Sequence, residues 1–368
     1  MTQPVPFGIG VVGAGVISDE YLATLTRQPD LEVRFVADRH PERARQVAEK
    51  FGVPASGTFE ELLADPRVQL VVNLTVPQAH ADITRTALLA GRHVWSEKPL
   101  ATDAGDTRGL VELADRLGLR LGSAPDTFLG PGLQSGLAAI RGGTIGEPRT
   151  AFASHQYGGP DLWHPSPEFL FSAGAGPVLD VGPYHLTALV HVFGSVTRVT
   201  ARGVTSRPTR TLAIGPRAGT AFDVEVPTHV TALYEFEHGG LADVVLSFDS
   251  AITRMTLEVS GTAGAIQMTD PNGFAGDSVL VTGFDDRTAL PGDGPGGTGR
   301  GSGAVDMVRS LRAGTPHRAG GALALHVLDG LFATEESIRT GLPVDVVSRV
   351  APVPLLPEGW TTGAPVTP

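Results

Sequence analysis

Three groups of residues in this 368-residue chain could do chemistry by their type and spacing. The first is the turn Gly13-Ala14-Gly15, inside the run F-G-I-G-V-V-G-A-G-V-I-S from Phe7 to Ser18. After a strand, Gly13 permits a tight turn and Gly15 a close approach of backbone to a pyrophosphate. Val16 and Ile17 would then open a helix, whose N-terminal N–H groups and positive dipole end suit phosphate. Ser18 stands at the third glycine position of G-x-G-x-x-G and is small enough for helix and strand to pack closely. Asp38 closes the next strand, 23 positions after Gly15. A carboxylate there accepts hydrogen bonds from adenosine ribose hydroxyls. A glycine turn alone is a weak signal, but strand, turn, helix, strand and acid in this order point to a dinucleotide. Asp38 favours NAD, because it would repel a 2′-phosphate. Arg39 could attract that phosphate or be a solvated charge beginning a helix, so NADP stays open.

The second group is Glu97-Lys98-Pro99, directly after the strand His93 to Ser96. That places Lys98 at the carboxyl edge of a parallel sheet, where open α/β sheets bind ligands. A lysine beside a reacting hydroxyl lowers its pKa and stabilises a developing alkoxide. A plain surface lysine after a strand would read the same locally. The third group lies in G-A-G-P-V-L-D-V-G-P-Y-H-L-T-A-L-V-H-V-F-G, Gly174 to Gly194. On a continuous helix Asp180 and Tyr184 would sit within about 40° of each other, and His185 roughly 140° from Asp180. Pro183 suggests that the regular helix starts only there, with Asp180 just before it. Tyr184 and His185 can each move a proton, while Asp180 could equally be an N-cap.

The elements around these groups follow from apolar periodicity. Up to Leu121 the chain alternates strands (Phe7–Val12, Leu31–Ala37, Val68–Leu74, His93–Ser96) with helices, the signature of a doubly wound parallel sheet. Beyond Pro125 come β-type segments with little helix between them, from Glu147–Tyr157 to Ala265–Thr269. They predict an α+β domain with a large open, mainly antiparallel sheet. Two helices, Ala304–Ala313 and Gly321–Thr340, close the pattern. The expected division is a dinucleotide domain over residues 1–124 and a substrate-binding and oligomerisation domain over 125–368. The glycine-rich stretch Pro291–Gly303 reads as a surface loop, with a lid as the sharper alternative.

Composition narrows the classes further. Cysteine is absent, which excludes disulfides, thiolate metal sites and cysteine nucleophiles. The formal charge of −11 and the lack of a Lys/Arg run argue against nucleic-acid binding. No apolar run approaches the roughly 18 residues of a membrane span. Met1 to Phe7 lacks the basic and apolar regions of a secretory signal, so the expectation is a cytoplasmic protein. No histidine or acid spacing suggests a metal site.

These motifs together resemble the glucose–fructose oxidoreductase / inositol dehydrogenase family of NAD(P)-dependent sugar oxidoreductases. The resemblance runs along nearly the whole chain: G-x-G-V-I-S at Gly13–Ser18, A-D-R-x-x-E-R-A at Ala37–Ala44, T-V-P-x-x-H at Thr75–His80, E-K-P at Glu97–Pro99, I-G-E at Ile145–Glu147, D-x-G-x-Y at Asp180–Tyr184, and P-H-R-A-G-G-A-L-A-L-H-V-L-D at Pro316–Asp329. It implies a Rossmann domain, with Lys98 next to nicotinamide and Thr75, Pro77, His80 and Glu97 lining the cofactor. It implies Asp180 and Tyr184 as the other catalytic groups. The inositol-dehydrogenase type has His at the second of these positions, where this chain has Tyr184 followed by His185. It also implies oligomer contacts through the open sheet, in a homodimer or homotetramer. The segment Gly159-Pro160-Asp161-Leu162-Trp163-His164-Pro165 resembles one subgroup's substrate loop, with Tyr157, Trp163 and His164 as substrate contacts. A Pro-braced loop anchored by its Trp is the plainer reading.

The expected activity is hydride transfer between nicotinamide and a secondary hydroxyl or ketone of a sugar, polyol or glycoside. Lys98 polarises the oxygen, Tyr184 or His185 takes the proton, and Asp180 orients its neighbours. Two alternatives remain: an NAD-using glycosidase or epimerase that oxidises its sugar transiently, and a non-catalytic dinucleotide-sensing regulator.

Overall fold

A computed structural model describes residues 5–292, 298–357 and 359–362. Residues 293–297 of the glycine-rich stretch, on which the loop and lid readings partly fall, lie outside the described residues.

The first strands are short. They are β1 (Phe7–Val12), β2 (Leu31–Ala37), β3 (Ala55–Gly57), β4 (Leu70–Asn73), β5 (His93–Ser96) and β6 (Leu121–Ser123). Of these, β1 and β4 are apolar runs buried on both faces. The strands form one sheet in the order β3-β2-β1-β4-β5-β6, and every pair is parallel. Parallel strands need crossovers, which α1 (Val16–Leu25), α2 (Pro41–Phe51), α3 (Phe59–Ala64), α4 (Pro77–Leu89) and α5 (Ala104–Leu117) supply. Local chemistry sets their ends. Pro41 and Pro77 stand in first turns, where a missing N–H costs nothing. Thr58 and Glu61 form a capping box on α3, and Gly52 and Gly118 end α2 and α5 in the left-handed conformation. The strand order reverses between β1 and β4, the switch point at which such sheets bind ligands.

Among the described residues, the second sheet has nine strands. After α6 (Pro131–Arg141) come β7 (Pro148–Gln156), α7 (Gly176–Asp180), α8 (Gly182–Phe193), β8 (Val196–Val204), the separate hairpin β9 (Thr209–Thr211) and β10 (Ala221–Asp223), then β11 (His229–Phe236), β12 (Leu241–Ser247), β13 (Arg254–Gly261), β14 (Ala265–Met268), β15 (Ser278–Thr282) and β16 (Asp286–Leu290). The chain ends with α9 (Ser302–Ala313), α10 (Gly321–Thr340) and β17 (Val344–Asp345). The order is β16-β15-β14-β13-β7-β12-β11-β8-β17, antiparallel apart from the parallel pair β7–β12. Val230, Ala232, Tyr234 and Phe236 alternate inward along β11, and the Tyr234 hydroxyl bonds the Thr334 hydroxyl of α10 at 2.6 Å. Phe152, Asp243 and Leu233 lie side by side in register on the opposite face, with Phe152 exposed.

The chain separates into two compact units, and the division is discontinuous. One unit takes Met1–Pro131, Asp293–Leu325 and Pro354–Pro368; the other takes Gly132–Gly292 and His326–Val353. The single cut expected after residue 124 misses this return. Its cause is α9, whose Ala304, Val305, Met307 and Val308 are all buried. At its start Gly303 lies against the Trp95 ring, where a Cβ would come within 2.0 Å of a ring carbon. Asp126 accepts the N–H groups of Gly301 and Gly303 at 2.9 and 3.0 Å. Among the described residues, no helix is long and apolar enough to cross a membrane.

Candidate active site

In the first unit, the carboxyl ends of four strands carry the predicted cofactor residues. Gly13 follows β1 at φ 100°, and a Cβ there would meet the Leu74 carbonyl oxygen at 2.5 Å. No other residue fits that turn. Gly15 precedes α1 as its N-cap, with no side chain capping the helix and no atom within 4 Å of where its Cβ would be. Val16, the first helical residue, is 92% exposed, and Ile17 follows it half-buried. The open space at Gly15, before an uncapped helix end, is a cradle that suits a pyrophosphate. Ser18 is buried, its hydroxyl donating to the Gly15 carbonyl at 2.6 Å.

Asp38 follows β2 and is nearly buried. Its Oδ2 accepts the Ala14 N–H at 2.9 Å and its Oδ1 the His40 N–H at 2.8 Å. Each carboxylate oxygen accepts about two hydrogen bonds, so capacity remains for ribose hydroxyls. Arg39 is exposed, its Nε donating to His40 Nε2 at 3.2 Å.

Thr75 follows β4, and its N–H and hydroxyl both donate to Asn73 Oδ1, at 3.3 and 2.7 Å. Pro77 stands in the first turn of α4. His80 is buried with its ring between two carbonyls, Nδ1 at 2.7 Å from Pro99 O and Nε2 at 2.9 Å from Thr75 O. Burial pushes its pKa down, against the upward pull of those carbonyls. His80 thus braces the Thr75 turn against the Lys98-Pro99 segment. Glu97 is likewise turned inward. Its Oε1 accepts the Tyr21 hydroxyl at 2.7 Å and its Oε2 the Lys98 N–H at 2.9 Å. Burial and then Glu97 hold the Tyr21 phenol well above its ordinary pKa, so it remains a donor. Lys98 is half-buried and joined to Pro99 by a cis peptide bond.

In the second unit, Asp180 is the last residue of α7 and Tyr184 lies in the first turn of α8. Val181 separates the two helices, and it, not Asp180, is the N-cap of α8. The capping explanation for Asp180 therefore fails. Tyr184 is 7% exposed, while His185 is fully buried with Nδ1 3.3 Å from the Val181 carbonyl oxygen. The His185 ring meets His155 edge-on at 5.5 Å. Burial, and then His155, push the His185 pKa down to about 3.

Tyr157 follows β7, its ring edge-on to His155 at 5.7 Å and to Phe248 at 5.4 Å. Burial raises its pKa, and the negative charge of Asp180 raises it further, against a hydrogen bond from the Trp163 side chain. Tyr157, Trp163 and Asp180 thus form one electrostatic cluster. Trp163 itself is 56% exposed. His164 stacks edge-on between Trp163 and Phe169, both at 5.6 Å, and its Nδ1 accepts the Ser166 N–H. Among the described residues, no three His, Cys, Asp or Glu side chains are grouped to hold a metal ion.

Sequence reasoning missed the supporting residues. Asn73 was visible as the one polar residue in V-V-N-L; its Nδ2 donates to the His80 carbonyl and the Thr84 hydroxyl. Tyr21 sits at helical spacing with Ile17 and Leu25 on α1, a pattern that marks a buried face and not a partner of Glu97, and Asp126 carries no sequence signal.

Comparison with known proteins agrees with this architecture. Residues 7–124 match the oxidoreductase family model with an NAD-binding Rossmann fold, and residues 137–267 match the GFO/IDH/MocA C-terminal domain. The human trans-1,2-dihydrobenzene-1,2-diol dehydrogenase is 31% identical over 268 residues, 71% of this chain and 74% of that protein. The bovine protein of the same name is 30% identical over 265 residues, 71% of this chain and 74% of its own length. In fold, the chain is similar to an NAD-binding oxidoreductase of Klebsiella pneumoniae, with TM-score 0.80 and 24% identity over 93% of this chain and 100% of that one. It is also similar to levoglucosan dehydrogenase in complex with NADH and levoglucosan, with TM-score 0.78 and 21% identity over 93% of this chain and 99% of that one. With its glycine turn, Asp38 and E-K-P lysine at the carboxyl ends of β1, β2 and β5, the chain belongs to the GFO/IDH/MocA family of oxidoreductases with an NAD-binding Rossmann domain.

Proposed function

We propose that this protein is a dehydrogenase that oxidises a secondary hydroxyl of a cyclic polyol, sugar or glycoside, reversibly, to the ketone. NAD, when bound, accepts the hydride from the hydroxyl-bearing carbon. Gly13, Gly15 and the start of α1 would hold its pyrophosphate, and Asp38 would accept from its ribose. Lys98 donates to the reacting oxygen and stabilises the charge that develops as the C–H bond breaks. Tyr184, in its phenolate form, takes the hydroxyl proton and passes it on to solvent, so that alcohol and NAD+ give ketone, NADH and one released proton. His185 is a poor carrier, because an imidazole held neutral down to about pH 3 binds no proton in the working range. Asp180 orients its neighbours, and Tyr157, Trp163 and His164 contact the substrate. The observation that carries the reading is the position of Lys98 at the carboxyl end of β5, beside the switch point between β1 and β4.

The substrate class is supported by the relatives' names, one a cyclic vicinal diol and the other an anhydrosugar. The test is a panel of cyclic diols, sugars, inositols and glycosides with NAD or NADP, followed at the nicotinamide absorbance. Net formation of NADH on a polyol supports the reading. Substrate conversion without net NADH would mark the transient-oxidation chemistry of a glycosidase or epimerase, and tight NAD binding with no conversion a regulator. We further propose a homodimer or homotetramer joined through the exposed face of the nine-stranded sheet, which carries Phe152 and, across Asp243, Leu233, and would otherwise lack a cover. A monomer by light scattering at micromolar concentration would refute this.

A further inference from the structure

We propose that Arg210 is a positioning residue for substrate recognition: it fixes the turn Gly158–Trp163, and through it the arrangement of Tyr157 and Trp163. The inference rests on the reading of those two side chains as substrate contacts. Arg210 lies on β9, in the small hairpin outside the nine-stranded sheet. Its side chain is fully buried. A buried guanidinium is costly unless its donors are met. Here Nη1 donates to the Gly158 carbonyl at 2.9 Å and to Asp161 Oδ1 at 2.6 Å. Nη2 donates to the Phe248 carbonyl at 2.6 Å and to Asp249 Oδ1. The guanidinium also lies 5.0 Å from the centre of the Phe171 ring.

The Gly158, Asp161 and Phe248 partners lie in or against the segment that carries Tyr157 and Trp163. Gly158 and Asp161 begin and brace the turn that carries Trp163. Phe248 is the ring against which Tyr157 packs, and Ser250 N–H donates to the Tyr157 carbonyl at 3.1 Å. Asp161 is itself buried, and its carbonyl accepts the Ala213 N–H at 3.0 Å, which ties the turn to the hairpin a second time. Gly159 sits at φ 109°, where a Cβ would meet Arg210 Nη1 at 2.5 Å. The turn is therefore shaped around the guanidinium. A planar, five-donor cation reaching four acceptors in two loops is a role that lysine fills only in part. Without the cation, Asp161 and Asp249 keep their charges near one another and the turn loses its anchor.

The test uses the full chain and the variants Arg210→Met, Arg210→Lys and Gly159→Ala. Three readouts are taken: amide hydrogen exchange of the peptides covering 157–171, the Kd for NADH, and steady-state kinetics on a substrate from the panel. Arg210→Met should speed exchange in the turn about tenfold or more, the scale of one or two lost charge-assisted hydrogen bonds. KM should rise by about the same factor, with kcat falling less, because the loss is mainly of substrate binding. NADH affinity should be unchanged. Arg210→Lys should recover part of both effects, and it keeps the test open if Arg210→Met does not fold. Gly159→Ala, which leaves the cation in place, should loosen the same peptides. Unaltered exchange in the turn overturns the proposal. So does a loosened turn with unaltered KM. If the wild type converts nothing in the panel, the substrate reading has failed separately, and the exchange data alone decide whether Arg210 fixes the turn.

Discussion

The Asp38 carboxylate accepts the Ala14 N–H at 2.9 Å, so the acid that ends β2 also locks the turn that follows β1. One residue therefore shapes the glycine turn and, in the role proposed for it, would present an acceptor to the ribose. The carboxylate is fixed in place before cofactor arrives, by this bond and by the one from His40 N–H. Binding NAD then requires little further ordering of that side chain.

Asp38→Ala should raise the Kd for NAD by about tenfold, the cost of one or two lost hydrogen bonds. NADP should bind more weakly than NAD to the wild type, and the gap should narrow in the variant as the repulsion of the 2′-phosphate disappears. Titration of both cofactors against both proteins measures this. A wild-type preference for NADP would show that Arg39 governs the site.

Lys98→Ala should lower kcat by at least about 100-fold, the scale of one lost electrostatic stabiliser of the transition state. NAD affinity should change far less, since charge on the reacting oxygen develops mainly in the transition state. Near-wild-type turnover by this variant on the true substrate would remove Lys98 from the chemistry.

Tyr184→Phe should cost more activity than His185→Gln, and it should alter the pH profile of kcat/KM. His185→Gln should instead show in stability. The folded His185 pKa lies below the ordinary value, so its contribution is present above about pH 6.5 and is lost as pH falls toward about 3. The variant should lose less stability on acidification than the wild type, as measured by Tm between pH 7 and 4. A dominant activity loss in His185→Gln, with Tyr184→Phe unharmed, would reverse the assignment.

Glu335 lines a cavity of about 250 Å³ with Val178, Val226, Pro227 and Ile338. Burial pushes its carboxyl up to about 7. A raised folded pKa means stability that is full below about pH 4.5 and lost as pH rises through 7. Glu335→Gln should therefore raise Tm relative to the wild type, with a difference that grows from pH 6 to pH 8.5. A constant or shrinking difference would show that the carboxyl is not held protonated.

The amino-acid sequence by itself determined the parallel half of the molecule and the turns that follow its strands. Their signals are local: Gly13 must adopt a positive φ, β1 and β4 must be apolar on both faces, and Asp38 must close β2. The same locality made E-K-P and D-x-G-x-Y readable. Only the tertiary structure decided what holds them. Tyr21 and Glu97 are 76 residues apart in the chain, and Arg210 and Asp161 are 49 apart. No periodicity records such a pair, because each partner satisfies its own element's pattern whether or not the other is there. The return of α9 to the first unit was hidden for the same reason: an amphipathic helix announces that it has a buried face, but not which surface buries it. His185 shows the limit most directly. Its place beside Tyr184 suggested a proton carrier, and the turn of α8 that sends one ring into the core against His155 is a matter of packing.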